Sequence, residues 1–322
     1  MRTIVLAGGF ATRLLPITAE RPKPLLPVAG KPIIDYLLEH EHLPQPVVVS
    51  TNERFASQFE EWRKKGNRDV ALIVEGTRSE KEKLGTVGAI GYVIEQCAID
   101  DDVLVIAGDN LFGFEIAEFV SQYRGRVLIA LHDLKDPDLV RGRYGVAIVE
   151  NGVVTGFQEK PQTPQSTLAS TACYIYPRDV LPYFAKFYSQ SSSGRDAPGY
   201  FNEWGLTEHG WTIDAFVSES HWFDVGDRAS YLTANRFYGK QDTWRSSEVS
   251  IDGSYVENCI LLGNSRIYGC SLRGCIVDTD CQLTDLELHD CLIGRGTRLV
   301  GPGATRPENM PDVANRAEGR TR

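Results

Sequence analysis

Over roughly the first 240 residues, short apolar runs of strand length alternate with stretches whose apolar residues recur at helical spacing. The strand-like runs are Thr3–Ala7, Pro46–Ser50, Val70–Val74, Asp102–Ala107 and Val127–His132. Ile33–Glu41, Ser57–Lys65, Thr86–Cys97 and Glu115–Tyr123 lie between them and predict helices. This βαβα order predicts an α/β fold with a Rossmann-like, mostly parallel sheet covered on both faces. In such sheets ligands bind beyond the carboxyl ends of the strands. After about residue 140 the pattern turns β-rich. Tyr144–Glu150 and Val153–Gln158 flank Asn151-Gly152, a hairpin signal. Ser189–Gly199 predicts a polar loop, and Tyr231–Tyr238 a helix that closes the first domain.

From residue 248 the period changes. Ile251, Val256, Leu262, Ile267, Leu272, Val277, Leu283, Leu288, Ile293 and Leu299 follow one another at steps of five or six residues. No helix or ordinary hairpin has that spacing. It predicts a short left-handed parallel β-helix with one aliphatic per rung side pointing into a triangular core, and Gly263, Gly269, Gly274 and Gly294 at the corners. A small β-sandwich is the alternative. The expected organisation is therefore a domain over 1–240, a β-helix over 248–300 and a disordered polar tail over 301–322. A β-helix this short has open ends and edges, so a homo-oligomer formed through it is expected.

Composition narrows the function. The 322 residues carry a formal charge of −9, which speaks against nucleic acid as a partner. No apolar stretch approaches the ~18 residues of a membrane span, and Met1-Arg2-Thr3 runs straight into a strand, so a cytoplasmic protein is expected. Five of the seven cysteines fall within Cys259–Cys291 without a C-x-x-C pair, which predicts free thiols as small apolar fillers of the β-helix.

The chemistry-bearing residues gather at strand ends. Gly8-Gly9 follow the first strand, where successive backbone N–H groups form an anion-binding concavity. Arg13 and Lys23 add fixed positive charge at its rim, an arrangement suited to a nucleoside triphosphate. Asp109 follows the apolar run Val103–Ala107, where a carboxylate is placed to hold a hard cation.

The string Leu6-Ala7-Gly8-Gly9-Phe10-Ala11-Thr12-Arg13-Leu14, with Lys23-Pro24-Leu25 and Gly30-Lys31-Pro32 after it, resembles the signature of the sugar-1-phosphate nucleotidylyltransferases. Ala11 departs from it, since most members have a third glycine there, and Ala resists positive φ. The resemblance covers residues 1 to about 240. It implies transfer of a nucleotidyl group from a nucleoside triphosphate to a sugar 1-phosphate, giving a nucleoside-diphosphate sugar and pyrophosphate. It implies that Arg13, Lys23 and Lys160 are catalytic. Leu6, Gly8, Gly9, Thr12, Glu75 and Gly85 would bind the nucleotide, and Tyr144, Gly145, Glu159, Ala172 and Trp222 the sugar. Asp109 and Asp224 would hold Mg2+. Asn110 and Asp196-Ala197-Pro198-Gly199 point to the subgroup of long-form glucose-1-phosphate thymidylyltransferases, using dTTP or UTP with glucose 1-phosphate. Mannose-1-phosphate guanylyltransferase and a non-catalytic, sugar-nucleotide-sensing regulatory subunit remain as alternatives.

Overall fold

Nine strands form one sheet in the first of two units, Met1–Lys240; the second begins at Gln241. The computed structural model describes residues 1–190, 194 and 196–302. The expected tail therefore lies, beyond Pro302, outside the described residues, as do parts of the loop expected over Ser189–Gly199.

Strands β1 (Arg2–Leu6), β2 (Val47–Asn52), β3 (Ala71–Glu75) and β4 (Val103–Ala107) run parallel in the order β3-β2-β1-β4. Helices α1 (Ile33–Leu38), α2 (Ala56–Lys65) and α3 (Gly85–Gln96) fall between these strands in the chain. Alternation along each strand divides the core in two. Ile4 and Val105 pack with Ile90 of α3 on one face, and Val5 and Leu104 with Ile34 of α1 and Phe59 of α2 on the other. This covering on both faces is why the parallel strands are apolar almost throughout.

The rest of the sheet departs from the expectation. It is mixed rather than mostly parallel. After β5 (Asn110–Phe112), α4 (Ile116–Ser121) and β6 (Val127–Asp133) comes a hairpin of β7 (Val146–Glu150) and β8 (Val153–Gln158). Its turn residues Asn151 (φ 52°) and Gly152 (φ 79°) both lie in the left-handed region, as a type I′ turn requires. Strand β9 (Leu168–Tyr176) then inserts antiparallel between β4 and β6. A chain that leaves a hairpin without a crossover helix can rejoin the sheet running backwards, and this one does. Helices α5 (Pro182–Gln190) and α6 (Pro198–His209) and strand β10 (Ile213–Ser218), parallel to β6, complete the sheet side. Strand β11 (Trp222–Asp224) pairs with β5 as a separate two-stranded ribbon, and α7 (Arg228–Gly239) ends the unit.

The second unit is three stacked parallel sheets, the arrangement of a parallel β-helix. Each strand pairs with the segment sixteen residues further on: Trp244 with Ile260, Ile276 and Leu292; Ser250 with Arg266, Gln282 and Arg298; Tyr255 with Ser271 and Glu287. Two of the expected details are corrected. The inward position is Leu261, which pairs with Val277, and not Leu262; with that change the aliphatic steps become a regular five, five, six. The left-handed corners lie at 253, 269 and 285, at 258, 274 and 290, and at 264, 280 and 296, each filled by Gly, Asn or Asp. Gly269 and Gly274 are among them, whereas Gly263 and Gly294 are not.

The cysteines do more than fill space. The residue after each of these corners is Ser, Thr, Cys or, once, Leu286. Ser265 Oγ donates to Asp278 O (2.8 Å) and accepts from the Cys281 amide one coil later (3.0 Å). Cys281 Sγ in turn donates to Gly294 O (3.2 Å), and the Cys275 amide donates to Cys259 Sγ (3.3 Å). Thiols and hydroxyls thus occupy equivalent places in the hydrogen-bonded ladders that run along these corners. All seven cysteines are free.

Candidate active site

The loops after β1 and β4, the end of β3, the start of α3, the β7–β8 hairpin, β9 and β11 enclose a cavity of about 520 Å³. All sixteen site residues expected from the sequence line it.

The loop after β1 takes its left-handed turn at Ala11 and not at the glycine pair. Neither Gly8 nor Gly9 has a positive φ; Ala11 does (φ 48°, ψ 47°). That is the position where the resemblance leads one to expect glycine. Leu14 N–H and Thr18 Oγ1 both donate to Ala11 O, at 3.1 and 2.8 Å, and hold the strained turn. Gly8 is needed for another reason. A Cβ there would stand 2.7 Å from Glu75 Oε1. Asn52 Nδ2 donates to Gly8 O (2.9 Å) from the end of β2. Thr12 and Arg13 are exposed on the short turn that follows.

Lys23 and the two aspartates form the charged centre. The β5–β11 ribbon sets Asp224 opposite Asn110, and the Val225 amide donates to Asp109 O (3.2 Å), so the two carboxylates converge. Lys23, 8% exposed, donates to Asp109 Oδ2 and lies 3.6 Å from Asp224 Oδ1. Burial alone would lower the Lys23 pKa, but the two carboxylates hold it above its ordinary value. Burial opposes ionisation of Asp109, yet Lys23 and the Asn110 amide keep its carboxyl below the usual range. Burial and the Asp109 charge push Asp224 up. Asn110 Nδ2 donates to Asp109 Oδ1 (2.8 Å), and Asn110 Oδ1 accepts from Trp222 Nε1 (2.7 Å).

The opposite wall carries Tyr144, Gly145, Glu159, Lys160 and Ala172. The Lys160 amide donates to Tyr144 O (3.2 Å) and the Ser170 amide to Gly145 O (2.8 Å), which ties the hairpin end to β9. Lys160 has φ 47° and Ala172 φ 57°; the register of β9 against β6 slips between Ser170 and Tyr174, so Ala172 sits on a bulge. The Glu159 side chain is 8% exposed, and burial raises its pKa despite Lys160 at 3.7 Å. A Cβ on Gly145 or Gly199 would approach Glu159 Oε2 to 2.8 or 2.3 Å, so both glycines make room for this carboxylate. Tyr144 packs on Trp222 with ring centroids 5.0 Å apart.

Lys83 and Arg143 also line the cavity and were missed from sequence; each adjoins an expected motif (Leu84-Gly85, Tyr144-Gly145) but belongs to no pattern. Lys83 Nζ lies 2.9 Å from Asp196 Oδ2. In all, Arg13, Lys23, Lys83, Arg143 and Lys160 face six carboxylates: Glu75, Glu80, Asp109, Glu159, Asp196 and Asp224. Five positive against six negative side chains is no general anion trap. The oxygen-only pair Asp109–Asp224, already gathered around one cation, suits a hard dication such as Mg2+, which would correct that balance.

Comparison with known proteins follows the same line. The nucleotidyl transferase family model matches residues 2–241. A UTP–glucose-1-phosphate uridylyltransferase from Synechocystis is 28% identical over 250 residues, 73% of this chain and 63% of that protein. A glucose-1-phosphate thymidylyltransferase from Streptomyces antibioticus is 28% identical over 356 residues, 94% of this chain and 89% of that protein. A solved Bacillus anthracis structure, assigned as a glucose-1-phosphate thymidylyltransferase and holding sucrose, superposes with a TM-score of 0.61 at 26% identity, covering 75% of this chain and 96% of that one. Relatives at this level are named for uridylyl, thymidylyl and guanylyl transfer alike. The chain spans between about half and two thirds of several curated relatives, 63%, 49% and 59% in three cases.

Proposed function

The chain belongs to the nucleotidyl transferase family, and on that premise we propose that it joins a nucleoside triphosphate to a sugar 1-phosphate, releasing pyrophosphate. One observation carries the proposal. One cavity brings the glycine loop, the Lys23-bridged aspartate pair and the Glu159-Lys160 wall together, so two phosphorylated substrates can meet in it.

The chemistry asks little of a base. A sugar phosphate oxygen is already anionic at neutral pH, and attack on the α-phosphorus needs alignment and relief of crowded negative charge. Lys160, held by its strained backbone, aims the sugar phosphate. Glu159 accepts from sugar hydroxyls, and Ala172 leaves room for the ring against Trp222 and Tyr144. Arg13 and the N–H groups of the Gly8-Gly9 loop bind the triphosphate, and Lys23 stabilises the departing pyrophosphate. Asp109 and Asp224 would hold Mg2+, whose charge would neutralise the reacting phosphates.

The sequence favours dTTP or UTP with glucose 1-phosphate, with GTP and mannose 1-phosphate as the other pair. The whole-length likeness to the Streptomyces enzyme supports a hexose 1-phosphate. The proposal includes a cytoplasmic setting, a left-handed second unit and self-association through it. Among the described residues no helix is long and apolar enough to cross a membrane.

A panel of triphosphates against sugar 1-phosphates, read by pyrophosphate release, tests the reaction. Lys160→Ala should cost about 2–3 kcal/mol in kcat/KM for the sugar phosphate, the loss of a charge-assisted contact, with triphosphate affinity by calorimetry little changed. Release with no sugar 1-phosphate, or unchanged sugar phosphate kinetics in the variant, refutes the assignment.

A further inference from the structure

One corner column of the second unit is cysteine in three successive coils. The left-handed corners at 258, 274 and 290 are followed by Cys259, Cys275 and Cys291, stacked at the sixteen-residue register. Backbone bonds hold them in step: the Ile260 amide donates to Cys275 O and the Ile276 amide to Cys291 O, both at 2.9 Å. The other two columns each hold a single cysteine, Cys270 between Ser254 and Leu286, and Cys281 between Ser265 and Thr297. Ser265 shows that a hydroxyl carries the ladder bonds as well as a thiol does. Hydrogen bonding alone therefore does not call for cysteine three times running. What stacked thiols add, and hydroxyls lack, is the capacity to be joined by oxidation.

The spacing suits that step. Neighbouring coils of a parallel sheet lie about 4.8 Å apart, inside the range of about 4.4–6.8 Å that separates the Cα atoms of a disulfide. The Cys275 amide donates to Cys259 Sγ (3.3 Å), and the Cys259 and Cys291 thiols both hydrogen-bond Cys275 Sγ. Access differs along the column. Cys259 and Cys275 are 1% and 0% exposed, whereas Cys291 is only half-buried, so an oxidant from solvent meets Cys291 first. Reactivity differs too. The hydrogen bond from the Cys259 thiol, with those from the Cys291 amide and thiol, holds the Cys275 pKa below the usual thiol range against burial. The middle sulfur is the one kept ready as a thiolate.

We propose that Cys275 and Cys291 form a reversible disulfide between successive coils when the protein meets a peroxide. Cys291 Sγ takes one oxygen from hydrogen peroxide as the O–O bond breaks, giving a sulfenic acid and one water. Cys275 Sγ then attacks that sulfur. The S–S bond forms, the S–O bond breaks, and the departing hydroxide takes up the Cys275 proton as a second water. Two thiols have lost two electrons and two protons, and the peroxide has gained both. A thiol reductant reverses the change by exchange.

Mass spectrometry on the full chain tests this, after reduction, exposure to a small excess of hydrogen peroxide and alkylation of the remaining thiols. Trypsin releases residues 274–295 as one peptide carrying Cys275, Cys281 and Cys291. In the oxidised protein that peptide should hold an internal disulfide, with only Cys281 alkylated. Dithiothreitol added before alkylation should return all three cysteines to the alkylated form. Cys275→Ser and Cys291→Ser should each abolish the disulfide, and Cys281→Ser should leave it intact. Serine already serves this ladder at 265, so the variants keep its hydrogen bonds. Three alkylated cysteines after peroxide overturn the proposal. So does a Cys291 that stops at the sulfinic acid beside an alkylated Cys275. A crosslink from Cys259 to Cys275, or between two copies of the chain, overturns it as well.

Discussion

Ala11 shows how one residue can break a local rule at a site where the surroundings enforce the shape. Its left-handed backbone costs an L-residue about 1–2 kcal/mol, and the bonds to Ala11 O hold it there. Glycine would remove that cost while adding roughly 0.5–1 kcal/mol of unfolded-state entropy, so Ala11→Gly should stabilise the first unit by up to about 1 kcal/mol in urea unfolding. A clear loss of stability would mean that the methyl group packs in a way its intermediate burial does not suggest. The missing third glycine marked Ala11 in the sequence as the residue where this strain would fall. Gly8 and Gly9 carry the visible signature, yet Gly8 is small for the sake of Glu75, which lies 67 positions away in the chain. The site residues were legible because each sits in a short motif at a strand end. Lys83 and Arg143 were not, because a charged residue beside a motif looks like any solvated surface residue until the fold curls it inward.

At the level of elements, the strands that read best were those buried on both sides, such as β2, all six of whose residues are buried. Helix α6 did not read as a helix. Gly199, Asn202, Trp204 and Gly205 are poor helix formers, and their reasons are tertiary: a Cβ on Gly205 would meet Trp211 Cε3 at 1.9 Å, and one on Gly199 would meet Glu159. The place of β9 in the sheet was also hidden, since strand order follows from pairing and not from periodicity. In the second unit the aliphatic period was plain, but the corner dipeptides were not recognised as a repeat because Gly, Asn and Asp interchange at the first place, and Ser, Thr and Cys at the second. That interchange is itself testable. Ser265 is fully buried and serves the Cys281 amide and Asp278 O. Ser265→Ala removes the acceptor of the Cys281 amide and a donor to Asp278 O and should destabilise the second unit by about 1–3 kcal/mol. Ser265→Cys copies the next coil and should cost less. Hydrogen exchange at the Cys281 amide reports the difference, and equal protection in both variants would refute the ladder.

For the molecule as a whole, the first unit carries every residue assigned to the chemistry and has its own two-sided core. The second has a core of its own and exposes Tyr255 and Tyr268, each about half accessible. A chain ending at Lys240 should therefore stay folded and form nucleotide sugar, while losing association that light scattering detects in the full chain. The same association state in both would remove the second unit from the interface. The sixteen-residue register has one more consequence. The length of this unit is quantised. Deleting Leu262–Val277 joins Leu261 to Asp278 and lets each later residue drop into the seat of its counterpart one storey down. Deleting one residue fewer offers every seat to the wrong neighbour and turns aliphatics outward. Such a unit can lengthen or shorten only by whole turns, like a screw thread. Thermal unfolding of the two deletions should give a melting transition near that of the full chain for the first and an early, broad one for the second.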